Sequence, residues 1–87
     1  MTEEQRDYLD QIIRIAATMD RHGYQSASFL DDLLFDGDKQ QFLYIDAGSD
    51  LSKTLNGNSK KCFDMIVRGF PMQVGYVTEQ YSRFLLD

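Results

Sequence analysis

Residues 3–22 constrain the fold more than any other part of this chain. Leu9, Ile12, Ile13 and Ala16 recur at helical spacing and make one apolar stripe, which Tyr8, Ile15 and Met19 widen. The ends of the segment agree with a helix. Thr2 is a good N-cap, and Gln5 stands at the capping-box position three residues on. Glu3 and Glu4 lie in the first turn, where the helix dipole favours acids. Arg21 and His22 close the last turn, and Gly23 supplies the residue type that ends helices in a left-handed conformation. A stripe of that length has to be covered by the rest of the chain. At 87 residues the chain is the size of one domain, and it buries only about 60–65% of the surface its unfolded form exposes.

The remaining elements are shorter. Residues 27–36 read as a second helix, capped by Ser26 or Ser28, with Phe29, Leu30, Leu33 and Leu34 inward and Asp31, Asp32 and Asp36 outward; Gly37 ends it. Residues 39–47 have two readings. Phe42-Leu43-Tyr44-Ile45 is a run of strand formers, whereas Asp38 and Gln41 have capping-box spacing and Gly48 stands at a helix stop, which favours a short helix. One or two helical turns are expected over 50–55, capped by Ser49. Asn56-Gly57 is a hairpin signal, but its flanks lack alternating apolar residues, so it reads as a helix-ending turn. Residues 59–68 form a helix with Cys62, Phe63, Ile66 and Val67 inward, stopped by Gly69 and Phe70-Pro71. Residues 72–86 open as a strand and continue as a helix from Thr78, or form one longer helix from 72. The fold expected is all-α, a single domain over residues 1–87 built of four to six short helices. The alternative is α+β, with a small sheet from residues near 41–46 and 72–77.

Composition narrows the classes. Six Phe and five Tyr argue against a disordered chain. Cys62 is the only cysteine, so no internal disulfide forms and a zinc site lacks its ligand set. A reducing cytoplasm is the expected location. No apolar run approaches the ~20 residues of a membrane span. The acidic N-terminus has no apolar core of a signal peptide.

Little in the chain carries catalytic chemistry. His22 is the only histidine, at a helix end where a cation suits the dipole. Cys62 falls on an apolar helix face, as a core cysteine does. Asp31-Asp32 and Asp36-Gly37-Asp38 are dense acids, but on an exposed helix and turn they would be solvated. With Gly37 at position 6 of a calcium loop, position 3 is Leu34 and position 12 is Leu43, so two ligands fail. The six glycines are isolated and make no phosphate loop. No enzyme activity, cofactor or metal is expected.

Charge is where the chain departs from an ordinary small domain. Of the net −5, residues 26–50 carry −5 and residues 51–70 carry +3. Ser28 to Asp38 packs four aspartates and five large apolar residues into eleven positions. Such a segment can fold against a core and present negative charge outward. The function expected is a non-enzymatic regulator or inhibitor that docks a larger protein with a basic surface, such as a nucleic-acid-handling enzyme or a toxin. Its contact residues would be Asp31, Asp32, Phe35, Asp36, Asp38, Asp46 and Asp50. Plain solubility is the competing explanation of those acids. The second reading is DNA binding: residues 51–69 resemble a helix-turn-helix unit, with Lys53, Lys60, Lys61 and Arg68 as phosphate or base contacts. The acidic body weakens it. The third is a homo-oligomeric accessory or assembly subunit, for example a homodimer, joined through whatever apolar face stays uncovered.

Overall fold

The computed structural model describes residues 1–26, 28–45, 51–53 and 59–86, the side chain of Leu51 excepted. Their order is α1 (Glu3–Arg21), β1 (Tyr24–Ser26), a 3₁₀ turn (Phe29–Asp32), β2 (Leu33–Asp36), β3 (Gln41–Tyr44), β4 (Leu51–Lys53), α2 (Lys61–Gly69), a second 3₁₀ turn (Pro71–Gln73) and α3 (Val74–Leu86). β1 pairs antiparallel with β4, Gln25 opposite Ser52, and β2 pairs antiparallel with β3, Leu34 opposite Leu43.

The all-α expectation is therefore wrong. Three α-helices and two small antiparallel sheets are present among the described residues. Residues 27–36 are not a helix: Phe29–Asp32 makes one 3₁₀ turn, and Leu33–Asp36 is extended. Residues 41–44 are a strand and not the favoured short helix. The described residues of 50–55 are the strand Leu51–Lys53. The sheet expected from 41–46 and 72–77 does not form either, because Pro71–Gln73 and Val74–Leu86 are helical. The strand at 41–44 pairs instead with its own neighbour.

The physical reason is a competition that short segments lose locally. Four apolar residues fit a helix face or a strand equally well. Here Leu33–Asp36 and Gln41–Tyr44 are separated by one turn, so a ladder closes at little entropic cost. Asp36 builds that turn: its Oδ1 accepts from the N–H groups of Asp38 (3.0 Å) and Lys39 (3.3 Å). Gln40, the last turn residue, sits at φ 55. Its side chain holds the loop by donating from Nε2 to the Gly37 carbonyl at 2.7 Å.

α1 is the spine. Its capping box is complete: Thr2 Oγ1 accepts from Gln5 N–H at 3.1 Å, and Gln5 Oε1 accepts from Thr2 N–H at 2.9 Å. Gly23 at φ 80 reverses the chain out of it. Leu9, Ile12, Ile13, Ala16 and Ala17 are buried against Phe29, Cys62, Ile66, Val77 and Tyr81. Phe29, from the 3₁₀ turn, is fully buried and stacks on Tyr44 with ring centroids 5.7 Å apart. α3 is tied to α1 along its length: Tyr76 donates to Asp10 Oδ1 at 2.6 Å, and Arg14 lies 4.2 Å over the Phe84 ring.

One buried acid joins the helices. Asp20 is 1% exposed and continues the stripe Leu9, Ile13, Ala16 by one more turn of α1. Its carboxylate accepts from the N–H groups of Cys62 and Phe63, both at 3.1 Å, and from the Tyr81 hydroxyl at 2.8 Å. Its carbonyl accepts from Ser59 N–H at 2.9 Å. α2 lacks a side-chain cap of its own, Lys60 being at that position. Asp20 supplies from α1 the negative charge and the acceptors that α2's first turn requires.

Candidate functional site

The β2–β3 hairpin stands on the N-terminal half of α1 and has two unlike faces. The inner face carries Leu33, Phe35, Phe42 and Tyr44. Phe35 and Phe42 touch with centroids 5.0 Å apart, and Tyr8 of α1 meets both edge-on, at 5.2 and 6.0 Å. The Tyr8 hydroxyl lies 2.7 Å from Glu4 Oε1 and 2.6 Å from Gln40 Oε1, so its single proton serves either acceptor. That bond to Glu4, followed by partial burial, raises the Tyr8 hydroxyl above its ordinary value. The outer face carries Leu34, Leu43 and, just past β3, Ile45, which are 50%, 45% and 52% exposed.

The acids divide into two groups around that face. Asp31 and Asp38 are exposed. Asp36 is occupied in the turn, with its second oxygen left over from the bonds described above. Asp32 is turned inward: Oδ2 accepts from the Ser28 hydroxyl at 2.9 Å, with the hydroxyls of Ser26 and Tyr44 at 3.4 and 3.5 Å. Asp32 therefore fixes the 3₁₀ turn against β1 and β3 and is not the free surface acid expected of it. Phe35, expected as an outward anchor, lies on the inner face of the hairpin. It is 38% exposed, but its ring lies between Tyr8 and Phe42. Asp46 and Asp50 lie outside the described residues.

The basic segment does not make the two-helix unit that residues 51–69 suggested, because Leu51–Lys53 is strand β4. Lys53 places its ammonium 5.5 Å from the centre of the Tyr24 ring. Lys61 and Arg68 line one cleft of about 380 Å³ with Gln25, Ser26, Ser52, Asp64 and Met65. Lys60 lines another, with Asp20, Arg21, Ser59, Tyr81 and Leu85. Lys61 and Arg68 thus share a cleft that Lys60 does not line, and Asp64 lies in it beside them.

Cys62 is fully buried, and burial first, then the Asp20 carboxylate, push its thiol well above the ordinary range. Tyr81 moves the same way for the same two reasons. His22, exposed, follows the end of α1. Among the described residues no three His, Cys, Asp or Glu side chains come close enough to hold a metal ion, and no helix is long and apolar enough to cross a membrane.

Sequence reasoning missed three residues that matter here. Leu34 and Leu43 were hidden by assigning helices to both strands; strand alternation across the turn would have put them on one face. Gln11 looked like a polar position on α1, yet its amide closes the edge of β3. Nε2 donates to the Gln40 carbonyl at 3.1 Å, and Oε1 accepts from Phe42 N–H at 2.8 Å. No feature of the sequence distinguishes it from other surface glutamines.

The chain matches no protein-family model, no curated protein and no solved structure.

Proposed function

We propose that this protein is a non-enzymatic binding protein that regulates or inhibits a larger partner with a basic surface, and that it docks through the outer face of the β2–β3 hairpin. The observation that carries the reading is the composition of that face. Leu34, Leu43 and Ile45, each about half exposed, form an apolar centre; Asp31 precedes β2, Asp36 ends it and Asp38 follows it. Protein interfaces with an apolar core and a charged rim gain affinity from the core, and specificity and encounter rate from the rim. The net charge of −5 acts in the same direction, since it attracts basic surfaces before contact.

Two further features support a binding role over a catalytic one. The only thiol is buried and strongly disfavoured as a thiolate, and Asp20, the most buried acid among the described residues, is committed to capping α2. An unpaired cysteine also suits the reducing cytoplasm, which we take as the site of action.

The test is capture of partners from the native host with three baits: the wild-type chain, the double variant Asp31→Lys and Asp38→Lys, which leaves the Asp36 turn bonds in place, and Leu34→Lys. Partners held by wild type should be lost from both variants, whose circular dichroism should match wild type. Retention of the same partners by both variants would refute the reading.

A further inference from the structure

The ladder between β2 and β3 decides which backbone groups have partners. Ile45 N–H donates to the Asp32 carbonyl at 2.9 Å. In an antiparallel pair, bonded and non-bonded residue pairs alternate. Leu34–Leu43 and Asp36–Gln41 are therefore the bonded pairs, whereas Leu33–Tyr44 and Phe35–Phe42 aim their N–H and C=O groups out of the ladder. The bond from Phe42 N–H to Gln11 agrees with this alternation and covers the β3 edge. The β2 edge faces the opposite way, away from Gln11. Among the described residues, no main-chain hydrogen bond from outside the adjoining 3₁₀ turn reaches Leu33 or Phe35 on that side.

An open edge beside a half-exposed apolar face is a template for one more strand. We propose that β2 accepts an extended segment of the basic partner as a third strand, in the pattern basic–x–apolar–x–basic. This rests on the docking surface proposed above and adds how the partner is held. The apolar residue lies beside Leu34 on the outer face. The basic residues meet Asp31 at one end of β2 and Asp36 and Asp38 at the other, where opposite charges across a strand pair are favourable.

Charge also decides against a second copy of this chain as the occupant. Two β2 strands pairing antiparallel through their outward groups, with Leu33 opposite Phe35 of the other copy, bring the end that carries Asp31 beside the end that carries Asp36 and Asp38, twice over. Like charges directly opposite are destabilising, and the net −5 on each copy adds repulsion.

The experiment titrates the acetylated, amidated peptide Ser-Arg-Thr-Val-Thr-Arg-Ser into the isotopically labelled full chain and follows amide resonances. The expected result is a set of shifts confined to 31–38 and 43–45, with slowed hydrogen exchange at the amides of Leu33 and Phe35. Methylating the peptide nitrogens that face β2 should weaken binding about tenfold or more, since each methyl removes one strand-to-strand bond. Asp31→Lys with Asp38→Lys should weaken it as well. Three results would overturn the inference: no binding at millimolar peptide, equal binding of the methylated peptide, or a dimer in light scattering that Leu34→Lys dissolves. Equal binding of the methylated peptide would still leave the docking face intact, because that reading fails only if the host partner persists on the charge-reversed baits.

Discussion

Asp20 offers the sharpest test of how this fold is held together. Asp20→Ala removes a carboxylate that accepts from two N–H groups in the first turn of α2 and from the Tyr81 hydroxyl. Each buried donor left without an acceptor costs about 1–3 kcal/mol. Three of them set a loss of at least about 3 kcal/mol, and α2 also loses the charge that opposes its dipole. Two effects act the other way. The carboxylate no longer pays for its own desolvation, and water can enter from the cleft lined by Arg21, Ser59 and Lys60 to meet some of the donors. The expected net loss is about 3–4 kcal/mol, which is large beside the roughly 4–13 kcal/mol available to 87 residues.

The assay is urea unfolding followed by circular dichroism, with ΔG extrapolated to water and the slope compared between variants. Asp20→Asn keeps one acceptor oxygen and should lose about half as much, since its amide nitrogen now faces a donor. Tyr81→Phe deletes one of the three bonds and should cost about 1–1.5 kcal/mol. The double variant of Asp20→Ala with Tyr81→Phe should then cost less than the two single losses combined, because Tyr81 has already lost its acceptor in the first. A loss under about 1 kcal/mol for Asp20→Ala at unchanged slope would refute the reasoning, since the bonds would then do no more than offset the burial of the charge.

The remaining predictions concern protons, the thiol and the hairpin edge. Burial, then the bond to Asp10, push the Tyr76 hydroxyl up to about 12, and burial followed by Asp20 raises Cys62 and Tyr81 also. The folded state holds these protons more tightly than the unfolded chain. Their contribution is therefore complete below about pH 9 and drains away as pH rises, for Tyr76 across the window from 10 to about 12. Urea midpoints should be flat around neutrality and fall steeply above pH 10; a flat alkaline limb would be contrary evidence. Cys62 should resist thiol reagents in native buffer and react once urea unfolds the chain, so rapid native labelling would contradict its burial. Gln11→Ala should cost about 1 kcal/mol through its two bonds to β3. It should also raise the rate of self-association by uncovering a strand edge, which sedimentation at high concentration would detect. Leu34→Ala should leave stability within about 1 kcal/mol of wild type, because the side chain is half exposed, in contrast to a loss of about 3 kcal/mol or more for Phe29→Ala in the core.

How legible these features were in the sequence depended on whether their cause is local. α1 and its capping box follow from residues a few positions apart, and the bounds Glu3–Arg21 agree with the spacing of the stripe and its caps. α2 was legible for the same reason. The hairpin was not, because four-residue runs have no period of their own; what made them strands is the match between Phe35 and Phe42 and the floor that Tyr8 gives both. The turn residues Asp36-Gly37-Asp38 were noticed for their charge, and the same residues were the hairpin signal. Asp20 was legible in principle: a charged residue in register with Leu9, Ile13 and Ala16 has to find partners inside. Nothing in the sequence says that those partners are the first turn of α2 and the Tyr81 hydroxyl.

The two edges of the hairpin differ in a way that bears on the proposed docking strand. An exposed two-stranded ribbon offers two templates for aggregation, and isolated hairpins are at best marginally stable in water. Here α1 removes one template and supplies stability in the same contact, since Gln11 closes the edge of β3 while Tyr8 floors the aromatic pair. The open edge that is left is flanked by charge: under the proposal the acids before and after the ladder repel another copy of this chain and favour a basic segment. Selectivity at β2 therefore depends on the balance between its open backbone and its acids. Reversing Asp31 and Asp38 to Lys, which leaves the Asp36 turn bonds in place, should accordingly do two things at once, weakening a basic peptide and removing the like-charge barrier between copies. Light scattering on that variant at raised protein concentration should show more self-association than wild type, and an unchanged monomer would mean that charge is not what keeps the edge free.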